Sequence, residues 1–272
     1  MKSSQQSVSR RGVLSALGKL VAGAAALAAA RKVRAVTKQA VTTPAPAGYD
    51  PTKHQWRMAL DVDKCIGCGS CADACKNENH VPRDPGYFRT WVERYIIKKA
   101  PPGSGEPHGE TVVDSPNGSI GGFPPTLVPK SEILKAFHVP KICNQCANSP
   151  CDMACPVGAT FRTPDGAVVV DPKYCIGCGF CVQACPYGCR FINPLTHTAE
   201  KCTFCYHRIT RGLKPACVEV CPTGTRIFGD LKNAKPDDPL LQFYAKNRLQ
   251  VLKPHLGTVP RVFYAGLDEE AR

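Results

Sequence analysis

The chain has 272 residues, 43% of them hydrophobic, a formal net charge of +13 and seventeen cysteines. That length bounds it to about two small domains. The positive charge invites a nucleic-acid reading, but residues 1–49 hold no acidic side chain, and seven basic ones (Lys2, Arg10, Arg11, Lys19, Arg31, Lys32, Arg34) fall in 1–35. The formal +13 less those seven leaves +6, and no further feature supports nucleic acid as a partner.

In chain order, Ser9-Arg10-Arg11-Gly12-Val13-Leu14 opens an Ala/Gly/Leu stretch reaching Ala30. Twin arginines ahead of a mildly apolar run predict a Tat-type export signal over 1–35, with Val13 where the usual pattern has Phe. Lys19 interrupts the run, and the eleven residues Leu20 to Ala30 fall short of the about 20 a spanning helix needs. Residues 36–54 read as a linker. No later stretch reaches membrane-spanning length, so no span remains once the signal is removed.

Met58, Leu60 and Val62 alternate into the first of four cysteine quartets, which predicts a short strand. That quartet is Cys65-x2-Cys68-x2-Cys71-x3-Cys75. Residues 100–129 carry thirteen Pro or Gly and read as an extended surface loop or insertion. The second quartet is Cys143-x2-Cys146-x4-Cys151-x3-Cys155-Pro156. Ala159-Thr160-Phe161, the turn Pro164-Asp165-Gly166 and Val168-Val169-Val170 then predict a hairpin. The third quartet is Cys175-x2-Cys178-x2-Cys181-x3-Cys185-Pro186, and the fourth is Cys202-x2-Cys205-x11-Cys217-x3-Cys221-Pro222. Thr225 to Phe228 reads as a strand, 239–251 as a helix, and Leu252 to Leu267 as extended. Short helices are expected between the third and fourth cysteine of each quartet.

The first and third quartets reproduce the bacterial ferredoxin run, and three of the four carry its closing proline. A Cys-x2-Cys-x2-Cys loop wraps one cubane, while the fourth cysteine ligates the other cluster of a two-cluster unit. Gly67, Gly69, Gly177 and Gly179 allow that close wrap. Sixteen thiolates therefore imply four [4Fe–4S] clusters, with Cys189 left over as a small buried residue. Structural zinc sites use two Cys-x2-Cys pairs with a longer gap, and cysteines two residues apart are poor disulfide partners. Each oxidised cubane with four thiolates adds roughly −2, so the basic excess balances buried clusters.

Only nineteen residues separate the second and third quartets, so these most simply form one unit and the first and fourth the other. Set I is then Cys65, Cys68, Cys71 and Cys221. Set II is Cys75, Cys202, Cys205 and Cys217. Set III is Cys143, Cys146, Cys151 and Cys185, and set IV is Cys155, Cys175, Cys178 and Cys181. Pairing in sequential order is the rival. Lys64, Lys76, Lys141 and Lys201, each within two positions of a ligand cysteine, are candidates for raising cluster potentials, against the plainer reading of solvated side chains. Trp91, Tyr187 and Phe204 read as packing, and His207 is given no role. There is no dinucleotide fingerprint or spare ligand constellation, and hence no catalytic residue.

Residues 143–230, including Val170-Asp171-Pro172-Lys173-Tyr174-Cys175-Ile176-Gly177-Cys178 and Glu200-Lys201-Cys202-Thr203-Phe204-Cys205, resemble the four-cluster iron–sulfur (B) subunits of the dimethyl sulfoxide reductase family of molybdoenzymes. Within that family the resemblance is greatest to the tetrathionate reductase branch, on Ala216 to Cys221 and on the tail Val251 to Pro254 and Val262 to Leu267, and polysulfide-type subunits share much of this grammar. The resemblance covers roughly 55–267, least well over 98–137. It implies the pairing of first with fourth and second with third quartets. It also implies an electron relay between a multi-span, quinol-oxidising membrane subunit and a molybdopterin-containing catalytic subunit, on the periplasmic face of the membrane. The expected fold is α+β: two interleaved ferredoxin-like double-cluster units, 55–97 plus 199–230 and 138–198, with the insertion 98–137 and a C-terminal helix and docking tail, 231–272. The alternative is an electron-transfer subunit of a membrane-associated hydrogenase or sulfur-metabolism complex without molybdenum.

Overall fold

The computed structural model describes residues 45–271. The export signal expected over 1–35 and the first part of the linker lie outside them. Among the described residues, strand β1 (Trp56–Asp61), helix α1 (Ser70–Asn79) and strands β2 (Thr90–Lys98), β3 (Thr111–Asp114) and β4 (Ile133–Ile142) come first. Next are α2 (Pro150–Met153), β5 (Thr160–Arg162), β6 (Val168–Val170), α3 (Phe180–Gln183), β7 (Phe191–Ile192) and β8 (Ala199–Glu200). The chain continues through α4 (Tyr206–Ile209), α5 (Ala216–Glu219), β9 (Arg226–Asp230), α6 (Pro239–Lys246) and β10 (Val262–Ala265). The result is a mixed arrangement of four small sheets and short helices.

The strand expected before the first quartet forms, but Met58, Ala59 and Leu60 are all fully buried, so it is covered on both faces rather than one. Its neighbours come from far along the chain. β1 lies between β9, antiparallel, and β10, parallel with Met58 opposite Val262. The extended tail is thus the third strand of the sheet beside the first quartet. Helix α6 covers the sheet with Leu240 and Phe243, which pack on Ala59 and Ala265. It starts cleanly because Asp238 accepts a hydrogen bond from the Leu240 amide at 2.8 Å and Pro239 supplies a preset first turn. It ends at Lys246, several residues before the periodicity does, because Gln250 turns back to bridge Tyr264.

The predicted hairpin 159–170 forms as β5–β6. Within the Pro/Gly-rich stretch, β3 pairs with β2, and β2 also pairs along its length with β4 in a second three-stranded sheet. The stretch 100–129 is therefore not loop throughout. The main apolar core runs from Met58, Leu60 and Tyr264 directly into Cys71, Cys143, Cys202 and Cys217.

Candidate iron–sulfur centres

Each quartet is held by one loop and one short helix. In all four loops the residue before the second cysteine is left-handed: Gly67 (φ 69°), Gln145 (φ 48°), Gly177 (φ 72°) and Phe204 (φ 56°). Glycine adopts this region freely, whereas other residues need their surroundings to hold them there. Gln145 is held by donating to the Cys202 carbonyl and accepting from the Val168 amide, both at 2.7 Å. Phe204, fully buried, packs edge-on against Phe228. At Gly69 and Gly177 a Cβ would lie 1.9 Å from the Ser119 carbonyl oxygen and 2.4 Å from that of His197, so the loops have no room for a side chain there.

The closing proline sets the helix lengths. A residue before proline leaves the helical region, so α2, α3 and α5 stop short of Cys155, Cys185 and Cys221. Each of these cysteines opens a Cys-Pro-x-Gly turn whose glycine (Gly158, Gly188, Gly224) is left-handed. Burial works against the charge of Cys155 and Cys221, yet backbone amides that follow them outweigh it and lower both thiols. Cys185 is lowered to about 6, chiefly by a hydrogen bond from the Cys189 thiol, against burial and with help from the amides of Cys189 and Tyr187. Cys189 thus lies against a predicted ligand. Cys75 is followed by Lys76, so α1 runs on to Asn79, whose amide approaches Cys75 Sγ at 3.5 Å and Cys205 Sγ at 3.7 Å.

The helices bring the loops together in pairs. α1 packs on α5, joining the first and fourth quartets, and α2 packs on α3, joining the second and third. Cys65 neighbours Cys71 and Cys221. Cys75 is pushed well up by burial and by Cys205, Cys217 and Cys202 around it. Cys143 and Cys146 both neighbour Cys151 and Cys185, and Cys181 neighbours Cys175. Across sets, Cys217 neighbours Cys71, Cys202 neighbours Cys143, and Cys181 neighbours Cys151. The sets therefore follow one another in the order I, II, III, IV. Burial has the same order: every cysteine of set II is buried, as are three of set III, while Cys65, Cys68 and Cys221 are partly exposed and Cys178 is exposed.

None of the seventeen cysteines is in a disulfide. Among the described residues no three His, Cys, Asp or Glu side chains converge on a single metal ion. Thiolates on the corners of a cube stand apart by the width of the cluster, so such sets suit a cluster rather than one ion. Cys143, Cys146, Cys151 and Cys185 of set III line one pocket together with Arg190 and Lys201. Burial pushes Cys65 up to about 11 and both Cys146 and Cys202 up to about 12, so these thiols would release protons on binding metal.

Of the four candidate lysines, Lys64 pairs with Asp61 at 2.9 Å and Lys141 with Glu93 at 3.3 Å. Lys76 is buried over Phe88 and donates to the Pro82 and Asp84 carbonyls, away from the sulfurs. Only Lys201 lies among cysteines. His207 pairs with Glu78 at 2.6 Å, and the Tyr187 hydroxyl contacts Thr258 at 2.6 Å. Sequence reasoning missed three arginines. Arg226 donates to Cys71 Sγ at 3.3 Å, Arg190 lies between Cys151 and Cys181, and Arg89 pairs with Glu200 at 3.0 Å beside Cys75. Nothing in their local spacing marks them, since each reaches its sulfurs through the fold.

These loops define a ferredoxin-type iron–sulfur protein. Residues 134–231 match a 4Fe-4S dicluster domain and 56–77 a 4Fe-4S binding domain. The chain is 42% identical to the B subunit of tetrathionate reductase from Salmonella typhimurium, over 80% of its length and 74% of that protein's. It is 43% identical to the B subunit of tetrathionate reductase from Archaeoglobus fulgidus, over 79% and 87% respectively. The B component of polysulfide reductase from Wolinella succinogenes is 33% identical over 77% of this chain and 93% of its own. The chain belongs to this family of iron–sulfur electron-transfer subunits of respiratory reductases.

Proposed function

We propose that the protein holds four [4Fe–4S] clusters, one in each of sets I to IV, in two interleaved units that exchange their last cysteines. The observation that carries this is the order of the sets: neighbour follows neighbour from I to IV, with the middle buried and both ends reaching the surface. Such an arrangement admits an electron at one end and releases it at the other. The exposed apolar side chains Ile66 and Val220 flank the first end, and Tyr174, Ile176 and Phe180 flank the last, which suits docking of two partners. Similarity to tetrathionate and polysulfide reductase subunits supports a molybdopterin-containing catalytic subunit as one partner and a quinol-oxidising membrane subunit as the other.

The twin-arginine segment supports export to the periplasm, and no helix among the described residues is long and apolar enough to cross a membrane. The test is anaerobic purification of the tagged protein from its native membrane, with mass spectrometry and metal analysis. A molybdenum-containing large subunit, a multi-span protein and about sixteen irons per chain are expected. Nickel in the large partner would move the protein to a hydrogenase-type complex, and about twelve irons would remove one cluster.

A further inference from the structure

A buried cation stands at each of the three junctions between neighbouring cysteine sets. Arg226, 3% exposed, donates through Nη2 to Cys71 Sγ of set I at 3.3 Å and to Thr90 Oγ1 at 2.9 Å. On its other side it neighbours Cys217 of set II. Lys201, 1% exposed, donates to the carbonyl oxygens of Val168 and of Cys202 in set II, and it lines the cavity enclosed by the cysteines of set III. Arg190, 4% exposed, donates to Thr160 Oγ1 at 2.8 Å, lines one pocket with Cys151 of set III and neighbours Cys181 of set IV.

None of the three has a carboxylate partner among the described residues. Nε and Nη1 of Arg190 and Nη1 of Arg226 have no hydrogen-bond partner among the described residues. A buried cation without a counter-charge is costly, so an anionic group must face it. Thiolate-ligated clusters supply that charge from both sides. Arg89 shows the contrast. It is equally buried, but Glu200 neutralises it through two hydrogen bonds of 3.0 and 3.1 Å, and it neighbours only set II.

We propose that Arg226, Lys201 and Arg190 tune the relay in pairs, each raising the reduction potential of both clusters it separates. This rests on the four-cluster reading above. Reduction makes a cluster more negative, so a fixed cation nearby favours the reduced state. An electron passed between clusters held in neighbouring sets would oxidise one and reduce the other, and the cation close to both would stabilise the charge on either side. Sets II and III each face two of these cations and sets I and IV only one, so the two middle clusters are raised most.

The test is an EPR-monitored redox titration of the full chain in its native complex. Lys201→Met is expected to make two of four clusters about tenfold harder to reduce, 59 mV for a one-electron couple, and to leave two unchanged. Arg226→Gln and Arg190→Gln are each expected to shift two clusters, sharing one with Lys201→Met and none with each other. Thr90→Asp and Thr160→Asp, which set a carboxylate against Arg226 and Arg190 without removing them, are expected to reproduce those shifts where the glutamine variants lose iron. Iron-replete variants with four wild-type midpoints overturn the proposal, as does an equal shift of all four. A wild-type protein with fewer than four titrating clusters would instead defeat the four-cluster reading itself.

Discussion

One backbone turn, repeated in four loops, is made by Gly67 and Gly177 in two of them and by Gln145 and Phe204 in the others. The glycine pair was legible in the sequence because glycine advertises the left-handed region. The other pair was not, because what holds Gln145 and Phe204 there is a carbonyl, an amide and a ring from distant segments. The same distinction yields a sharp comparison between neighbouring glycines. Gly177→Ala forces a methyl group to 2.4 Å from the His197 carbonyl oxygen, whereas Gly179→Ala meets open space. Gly177→Ala is expected to lose the iron of the third loop. Gly179→Ala carries only the left-handed penalty of about 1–2 kcal/mol and should retain full iron, as metal analysis of the two variants would show. Cys221→Ser tests the pairing: the cluster bound by the first loop should change its EPR signal. A change confined to the cluster of the third loop would favour sequential pairing instead.

At the scale of elements, local punctuation was read well and long-range pairing was not. The hairpin 160–170 follows from its Pro-Asp-Gly turn and flanking valines, and the short helices follow from the closing prolines. The pairing of β1 with β9 and β10 could not be read, since strands some two hundred residues apart carry no mutual signal. Glycine and proline likewise hid β3. The edge of that first sheet is pinned by Asp230. Its carboxylate accepts from the Gln55 amide at 2.7 Å, and from His54 Nδ1 and the Asn233 amide group at 2.6 Å each. Burial raises the Asp230 carboxyl, but these hydrogen bonds outweigh it and hold it below the usual carboxylate range. A lowered carboxyl contributes stability that is complete above the unfolded value of about 4 and lost as the pH falls through the folded one. Asp230→Asn should therefore lower stability by about 2 kcal/mol at pH 7, with the difference from the wild type closing below about pH 4. Thermal unfolding at the two pH values would measure it.

For the whole molecule, the ligand cysteines are part of the interior, since Cys71, Cys143, Cys202 and Cys217 lie in the main apolar core. Removing iron with a chelator under anaerobic, reducing conditions should accordingly abolish the near-UV circular dichroism, because four neutral thiols leave each cluster site empty. Retained tertiary signal would mean that the sheets fold on their own. Changing Arg10 and Arg11 together to Lys should strand cluster-loaded protein in the cytoplasm, measured by fractionation, and continued export would defeat the twin-arginine reading. At this scale the cysteine count and grammar were legible from the start, while the order of the sets and the cations between them required the fold.

The parallel pairing of Met58 with Val262 has a consequence in time. β1 leaves the ribosome about 200 residues before β10, a wait of some tens of seconds at about 5–20 residues per second. During that wait the first cysteines of the relay emerge without the strand that completes their sheet. A nascent chain halted before residue 262 would therefore present this loop with one side of its sheet open.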